Sequence, residues 1–506
     1  MSLGRARHEK RYWGAICGLG SGLGGAEPGP AAKGAAASAA SRPMPQWHSS
    51  TRLGTRRPHR GHCQVTEAAT VRSWCAGARP VKGPLLPAGA GTAGSTIAGM
   101  ALPRLRRSLD LMPSPDESNP GLVIRDPLGY SDGVLVCPPP LVPFLRFFDG
   151  AHEVTDLEAA LRGGGAGERA EPLAAHLLDS LARVGLLDDA EFQRRREEKH
   201  AAFARTALRA PAHAGSAYPE DVALLRALLD ERVGLAPDPE TSGLLAIAAP
   251  HASPEGAWDS YRAAFRRLGP GLRERTFVIL GTSHYGAPDS FGLTRKAYVT
   301  PLGATTTDPT LVDELLANGG PAAVPEDYCH AVEHSIEFQV LFLQHVLGAG
   351  VRVVPLLCGP FTGGGEDGRP EDEPGVARFL EALRAICARE RERVFFVLGV
   401  DMAHVGRRYG DRLSARAGQG VLKDVEQGDR ARLARLTGGD ADGFWARVSY
   451  AGDSLSWCGT APFYTFLRVA PRVRGELLHY EQWQIDPESV VSCAGLAFYA
   501  ADGEDE

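Results

Sequence analysis

Three apolar segments of this chain each run into a histidine. They read GLLAIAAPH up to His251, TFVILGTSH up to His284 and RVFFVLGVDMAH up to His404. Each is short, rich in Val, Ile, Leu and Phe, and without polar alternation, which is typical of strands buried on both faces of a parallel sheet. Because ligands of open α/β sheets bind beyond the carboxyl ends of the strands, three imidazoles at one sheet edge predict a metal or proton-transfer site.

Two short motifs place acidic side chains near histidines. Asp401 precedes His404 by three residues in VDMAH, a spacing that puts both on one face if this segment forms a helical turn. His334 and Glu337 have the same spacing in EHSIE, where Glu333 lies next to the histidine. Taken singly, the first motif is also typical of a surface hydrogen bond and the second of a capped helix start.

The cysteines indicate a reducing environment. The chain has nine of them, scattered and without a CxxC pair, so the sequence predicts reduced thiols and a cytoplasmic location. One of them, Cys458, lies in the glycine-bounded segment GDSLSWCGTAPF, where a tight turn would present its thiol. The other interpretation of this residue is a small buried apolar side chain.

Apolar strands and amphipathic helices alternate from about residue 210 to residue 502. For example, EHSIEFQVLFLQHVL places Ile336, Val340, Leu343 and Leu347 on one helical face, and the apolar strand VRVVPLLCG follows it. This alternation predicts an α/β domain with a mainly parallel central sheet and helices on both faces.

A smaller α+β domain of the winged-helix kind is predicted for residues 117–205. LVIRDPLGYSDGVLVCPPP predicts two short strands around a turn, and PLAAHLLDSLARVGLLDD carries apolar residues at helical spacing. In VTDLEAALRGGG, Thr155 is the expected N-cap and the glycines end the helix. The charged segment FQRRREEKHAAFAR predicts a solvated helix that connects the two domains.

Residues 1–99 differ from the rest in composition. They are rich in Gly, Ala, Ser, Pro and Arg, and their acidic residues are Glu9, Glu27 and Glu67. Such a segment buries too little apolar surface to offset the entropy of ordering. The interpretations are a disordered arm, a transit peptide, and an upstream extension of the reading frame with Met100 as the ordinary start. We favour the last.

The charge and hydropathy argue against two partner classes. The net charge of −6 gives no basis for binding nucleic acid or an anionic membrane. No apolar run approaches the roughly 20 residues of a membrane-spanning helix, and we see no signal-peptide pattern. We therefore expect neither a nucleic-acid nor a membrane partner. The acidic tract at 362–375 is interpreted as a solvent-exposed loop.

Five motifs, in order, resemble the Memo-like family. They are GLLAIAAPHASPEGAWDSY, ILGTSHYG, EHSIEFQ, GVDMAHVG and SWCG, and the resemblance extends from about Ala212 to Tyr499. Within the family, the chain is similar to protein B of the bacterial AmmeMemoRadiSam system. The segment at 117–205 resembles, more weakly, the PqqD-like, winged-helix region that precedes some bacterial members.

The resemblance implies a fold related to the class III extradiol dioxygenases, which are non-heme iron enzymes. It implies that His251, His284 and Cys458 are metal ligands. Dioxygenases of that class use two histidines and a carboxylate, whereas the resemblance implies a thiolate as the third ligand here. Because sulfur favours copper(I), zinc or iron, the resemblance implies an iron or copper ion and redox chemistry, and puts ring cleavage in doubt.

The resemblance also implies which side chains surround the metal. Asp401 and His404 match a polar pair that lines the same pocket, and His334 matches a histidine at the pocket wall. These three are therefore the candidate catalytic residues. Because a carboxylate beside an imidazole stabilises the imidazolium, we expect Asp401 to raise the pKa of His404 and prepare it for proton transfer near neutral pH.

Three functions follow from these expectations. The first is a Memo-type, metal-dependent redox enzyme that works with a radical-SAM partner and an AMMECR-type partner, as the name of the system implies. The second is a dioxygenase for a small substrate, with His404 as the acid/base group and Asp401 or Glu333 as the carboxylate. The third is a non-catalytic module that binds a peptide or protein through the small domain or a vestigial metal pocket.

Overall fold

A computed structural model describes the chain from residue 100 to residue 501. Within that range, the described residues exclude 115, 117, 132, 235–240, 363–367, 450–454 and 456. The predicted N-terminal extension at 1–99 lies outside the described residues. None of the helices in the described part is long and apolar enough to cross a membrane.

The small domain combines short antiparallel strands with α-helices. Its strands are β1 (Arg104–Leu105), β2 (Asp110–Pro113), β3 (Leu122–Arg125), β4 (Val134–Cys137) and β5 (Leu187–Asp188), and its helices are α1 (Val154–Leu161), α2 (Ala170–Val184) and α3 (Ala190–Arg205). β2, β3 and β4 form one antiparallel sheet, and β1 pairs with β5. β1 and β2 lie upstream of residue 117, so strand pairing in this domain starts earlier than the sequence predicted.

The predicted N-cap of α1 is wrong. The helix begins at Val154 with Glu153 as its N-cap, so Thr155 lies inside the first turn. The backbone N–H of Glu153 donates to the carboxylate of Asp156 at 2.9 Å. This contact satisfies an amide at the helix start without the threonine hydroxyl.

The large domain alternates strands and helices along the chain. Its strands are β6 (Leu208–Arg209), β7 (Leu244–Ala249), β8 (Thr276–Thr282), β9 (Phe291–Leu293), β10 (Ala297–Thr300), β11 (Gly303–Ala304), β12 (Thr306–Thr307), β13 (Ala323–Pro325), β14 (Arg352–Cys358), β15 (Val394–Gly399), β16 (His404–Gly406), β17 (Val473–Asp486) and β18 (Ser489–Ala500). Its helices are α4 (Val222–Arg232), α5 (Trp258–Phe265), α6 (Pro309–Asn318), α7 (Cys329–Val332), α8 (His334–Leu347), α9 (Pro374–Arg389), α10 (Val421–Thr437), α11 (Ala441–Val448) and α12 (Thr460–Val469).

Ten of the described strands form one central sheet. Their order is β13-β9-β14-β8-β15-β7-β18-β16, with β12 paired to β14 and β17 paired to β18. β14, β8, β15 and β7 are parallel neighbours, whereas β18 is antiparallel to β7. Apolar cores cover both faces of this sheet, one built with α9 and α12 and the other with α5 and α8. The predicted α/β fold, with a mainly parallel sheet and helices on both faces, is confirmed.

The parallel strands bring distant residues to one edge of the sheet. His251 follows β7 and His284 follows β8, while Asp401 follows β15, which lies between these two strands. Because neighbouring parallel strands end on the same side, the residues after them meet beyond that edge. The sheet therefore places the first two predicted histidines as expected.

The third histidine-ended segment differs from its prediction. β15 ends at Gly399, residues 401–403 form a loop, and His404 is the first residue of β16, which pairs antiparallel with β18. Asp401 and His404 are therefore separated by irregular chain and not by a helical turn. The reason is backbone pairing, since hydrogen bonds to Ser492 of β18 hold the loop against the sheet.

Two glycines let the start of α8 lie against the sheet. A β-carbon on Gly281 in β8 would meet the hydroxyl of Ser335 at 2.6 Å, and one on Gly399 in β15 would meet the Ser335 carbonyl oxygen at 2.2 Å. The helix is buried around most of its surface, including Glu337 and Gln339, where the sequence predicted one apolar face. It therefore starts directly beside the strand ends that carry the histidines.

A buried ion pair anchors α8 to the start of the large domain. The guanidinium of Arg209 in β6 donates to the carboxylate of Glu337, and neither side chain is exposed. The phenol of Tyr218 donates to the same carboxylate. Burial raises the pKa of Glu337, but Arg209 outweighs this and holds the pKa below its usual value. Arg209 also donates to the carbonyl oxygens of His330 at 2.7 Å and Glu333 at 2.8 Å.

Replacing Arg209 by Met should destabilise the large domain strongly. The substitution leaves the Glu337 carboxylate buried without its cation, which costs about 3–5 kcal/mol of unfolding free energy. Arg262→Met is the matched control, because Arg262 and Asp259 form an exposed pair, 2.6 Å apart, worth at most about 1 kcal/mol. Urea unfolding followed by tryptophan fluorescence measures both losses. Equal losses in the two variants would contradict a special role for the buried pair.

Candidate metal centre

His251 is held by the neighbouring strand end. Its side chain is buried, and its Nδ1 lies 2.9 Å from the carbonyl oxygen of Gly399. Because a carbonyl oxygen only accepts hydrogen bonds, Nδ1 carries the proton and Nε2 presents its lone pair. Burial holds the pKa of His251 well below its usual value, so the ring is neutral. Its Nε2 lies 3.2 Å from Sγ of Cys458.

His284 is held in a similar way, by a carboxylate. Its Nδ1 lies 3.0 Å from Oε1 of Glu333, and its backbone N–H donates to Oε2 at 2.9 Å. Nδ1 therefore donates, and Nε2 faces away from the carboxylate. Burial lowers the pKa of His284, but Glu333 and the thiol of Cys458 outweigh this and raise the pKa well above its usual value. A proton and a metal ion would compete for Nε2.

Cys458 lies in the turn before α12. Its carbonyl oxygen accepts the hydroxyl of Thr282 at 3.3 Å, and the N–H of Gly459 donates to the carbonyl oxygen of Asp401 at 3.0 Å. These contacts tie the turn to the ends of β8 and β15. Burial raises the pKa of the Cys458 thiol. A metal ion would displace the thiol proton, because the thiolate is the ligating form.

These three side chains form a donor set that fits a metal ion. One donor atom from each of His251, His284 and Cys458 lies within 4.8 Å of the other two. Two nitrogens and a sulfur at such separations can share one ion at ligand distances of about 2.0–2.3 Å. In both histidines the other ring nitrogen faces an oxygen, which is the usual arrangement of ligating imidazoles. The donor chemistry fits a soft or borderline ion.

The carboxylate of Glu333 organises two histidines of the site. It is buried and accepts the backbone N–H groups of His284 and His334, both at 2.9 Å. Nδ1 of His334 also lies 3.1 Å from Oε1. Burial raises the pKa of Glu333, but the two imidazoles outweigh this and hold the pKa well below its usual range. Both oxygens are engaged on the Nδ1 side of the rings, and a ligating role for Glu333, which lies with His284 and His334 in a group that could hold an ion, stays a prediction.

His334 lies at the wall of the site, as the first residue of α8. Its ring stacks on that of His284, with 5.0 Å between centroids and 13° between planes, and meets the His251 ring edge-on at 5.3 Å. The side chains of His284, His334 and His404 are 28%, 23% and 21% exposed, whereas that of His251 is 1% exposed. The site therefore opens to solvent along the rings of His284, His334 and His404.

Asp401 lies between His251 and His404. Its Oδ1 accepts the backbone N–H groups of His251 at 2.8 Å and Ala252 at 3.0 Å. Its Oδ2 lies 3.6 Å from Nε2 of His251 and 3.9 Å from Nε2 of His404. Asp401 therefore fixes the start of the loop after β7 with one oxygen and faces both rings with the other.

Asp401 raises the pKa of His404, as predicted, but the expectation that this pKa lies near neutral is wrong. Burial lowers the pKa of His404 to about 4, and the attraction of Asp401, 3.9 Å away, does not offset it. Nδ1 of His404 lies 3.2 Å from the carbonyl oxygen of Met402. Nδ1 therefore donates, and Nε2 carries the lone pair. At neutral pH the ring is therefore neutral, and the lone pair of Nε2 can accept a hydrogen bond.

Sequence reasoning missed two residues that shape the site. Arg209 lies before all the motifs and reaches the site through the carbonyl oxygen of Glu333. The ring of Tyr409 meets the edge of the His404 ring at 4.9 Å. Neither position belongs to a periodic pattern or spacing that could have identified it. Glu337, which the EHSIE spacing suggested, faces Arg209 instead of the donor set.

Several known proteins are similar to this chain. A MEMO1 family protein of Aquifex aeolicus is 26% identical over 397 residues, which cover 78% of this chain and 99% of the relative. A MEMO1 family protein of Thermococcus kodakarensis is 31% identical over 306 residues, which cover 58% of this chain and 99% of the relative. A crystal structure of an uncharacterized protein, JW3007, from Escherichia coli K12 matches with 15% identity and a TM-score of 0.33, over 50% of this chain and 99% of that protein.

A family match covers the part of the chain that carries the site. The profile of the family described as "Memo-like protein" matches residues 209–497. This range is more than half of the chain, begins at the buried arginine and includes every residue of the donor set. The chain therefore belongs to the Memo-like family.

Proposed function

We propose that the chain binds one iron or copper ion through His251, His284 and Cys458 and uses it in redox chemistry. The observation that carries this proposal is the convergence of three donor atoms, from three separate segments, within 4.8 Å. A thiolate with two imidazoles suits copper(I), zinc or iron better than magnesium or calcium. The sequence resemblance favours iron or copper, either of which would supply electron transfer to or from oxygen or a substrate.

The residues of the chain would bind the substrate and move a proton. A substrate would approach along His284, His334 and His404, because these rings face solvent. With a pKa of about 4, His404 is neutral at neutral pH but is a weak base, so its Nε2 would accept a proton only from a substrate group whose own pKa the bound ion lowers. Asp401, 3.9 Å away, would then stabilise the imidazolium.

The first alternative is an extradiol-type dioxygenase acting on a small substrate. Such a site needs two histidines, a carboxylate and open positions for substrate and oxygen. Asp401 is the carboxylate that favours this alternative, because its Oδ2 lies 3.6 Å from Nε2 of His251. Iron retained after replacement of Cys458 would support it. The second alternative is a non-catalytic peptide- or protein-binding module, which protein without metal after oxygen-free purification would support.

The proposed partners rest on the sequence resemblance. They are a radical-SAM protein and an AMMECR-type protein of the same system, with a peptide as the ligand of the small domain. We also propose a cytoplasmic location, because the cysteines in the described part of the chain are free thiols.

Removing a ligand should remove the metal. Protein purified without oxygen should carry about one iron or copper ion per chain, and His284→Ala and Cys458→Ala should lose most of it, because structural and catalytic sites of this kind need at least three protein ligands. Cys387→Ala is the matched control, since this thiol lies in an apolar core. Elemental analysis of the purified proteins measures the metal. Metal-free wild type, or full metal in both ligand variants, would contradict the proposal.

Replacing Glu333 by Gln should weaken metal binding about 10- to 100-fold, because it removes the charge that orients His284. The affinity is measured by competition with a chromogenic chelator. Glu314→Gln is the control, since Glu314 pairs with Arg389 at 2.7 Å, and these side chains are 27% and 51% exposed. An unchanged affinity in Glu333→Gln would contradict this role and would mean that Glu333 acts only as the N-cap of α8.

His404→Ala should keep the metal and lose turnover by about 10²- to 10⁴-fold, the usual contribution of a general base. Oxygen uptake with ascorbate as the electron donor and metal content are measured on the same preparation. His345→Ala is the control, because His345 lies on α8 with its ring 3.9 Å from Asp230, away from the donor set. Loss of metal would make His404 a ligand, and full turnover would make it a bystander.

A further inference from the structure

Another buried carboxylate, that of Asp429, lies in α10 outside the donor set. Asp429 has no solvent exposure. Its Oδ1 accepts the indole N–H of Trp457 at 2.6 Å, and its Oδ2 accepts the hydroxyl of Tyr480 at 3.0 Å. Because a buried carboxylate is costly unless its oxygens are hydrogen-bonded, these contacts favour one arrangement of the three side chains.

Trp457 immediately precedes Cys458, and its indole is held from several sides. The residue is 5% exposed, and the guanidinium of Arg432 lies 5.5 Å from its ring centre. The rings of Phe444 and Phe463 each lie 6.0 Å away. With its ring packed and its N–H bound to α10, Trp457 leaves the next residue little freedom to move.

Asp429 also lies near Ser492, a residue of β18 that contacts the segment before His404. Burial raises the pKa of Asp429, and the nearby Ser492 side chain opposes this rise. The hydroxyl oxygen of Ser492 accepts the N–H of Ala403 at 2.8 Å. Ala403 directly precedes His404. The Asp429 carboxylate thus bonds to the residue before Cys458 and lies near a side chain that contacts the residue before His404.

We propose that Asp429 is a positioning residue, which sets the place of the Cys458 thiol at the metal centre by holding Trp457. The inference rests on the proposed function, because it requires Cys458 to be a ligand. Asp429 acts through the indole, since its two carboxylate oxygens bond to the side chains of Trp457 and Tyr480. Groups that orient a ligand in this way control how well the ligand reaches the ion.

Cobalt(II) is the probe for this inference, because a thiolate bound to it gives a charge-transfer absorption band that reports the sulfur ligand directly. Trp457→Phe keeps an aromatic ring but removes the N–H that Asp429 accepts. We expect the band per bound cobalt to decrease, and the affinity for cobalt to fall about 10- to 100-fold. Asp429→Leu should have the same effect.

Two variants separate positioning from general stability. Tyr480→Phe is the matched control, since it removes the other hydrogen bond to the same carboxylate and leaves the Trp457 contact, so the band should stay. Asp429→Asn should keep most of the band that Asp429→Leu loses, because an amide oxygen still accepts the indole N–H.

The outcomes distinguish this inference from the proposed function. A full band in Trp457→Phe, or an equal loss in Tyr480→Phe, overturns the positioning role while the metal site stands. If Trp457→Phe does not fold, the comparison of Asp429→Asn with Asp429→Leu decides, and equal bands overturn the role. Wild-type protein that gives no thiolate band with cobalt overturns the ligand role of Cys458 and this inference together.

Discussion

The site depends on the burial of the Glu333 carboxylate. A carboxylate removed from water is costly unless its oxygens are hydrogen-bonded, and its partners here are the backbone N–H groups and Nδ1 atoms of His284 and His334. The contacts that satisfy the charge also fix both rings. The end of β8 and the start of α8 therefore carry two oriented imidazoles, and Nε2 of His284, for which a proton and a metal ion would compete, faces away from the carboxylate.

A buried ion pair and a further buried carboxylate support this arrangement from opposite faces of the sheet. On the face covered by α8, Arg209 pairs with Glu337 and donates to the carbonyl oxygen of Glu333. On the face covered by α10, Asp429 accepts the indole N–H of Trp457, next to Cys458. Buried charges of this kind contribute little net stability, but their directional bonds favour one geometry. The Arg209–Glu337 pair fixes the position of Glu333, and Asp429 fixes that of Trp457, so both act on segments that carry or orient the donor atoms.

The fold was predictable because unbroken apolar runs and amphipathic helices carry a local signal. The same signal placed His251 and His284 after parallel strands, where the structure brings them together with Cys458. The prediction from the three-residue spacing of Asp401 and His404 was wrong, because backbone pairing between strands decides the conformation of that segment. Asp401 and His404 looked like neighbours on a helical turn, but His404 begins β16 because its chain pairs with β18.

The sequence by itself determined the α/β class, the family and which side chains can reach the edge of the sheet. Only the tertiary structure decided their protonation. Both His284 and His404 lie near a carboxylate, yet the pKa of His284 is raised and that of His404 is lowered to about 4. The nearest carboxylate oxygens are 3.0 Å and 3.9 Å away, from Glu333 and Asp401 respectively. The balance between desolvation and attraction depends on such distances, which the packing of segments far apart in the chain sets.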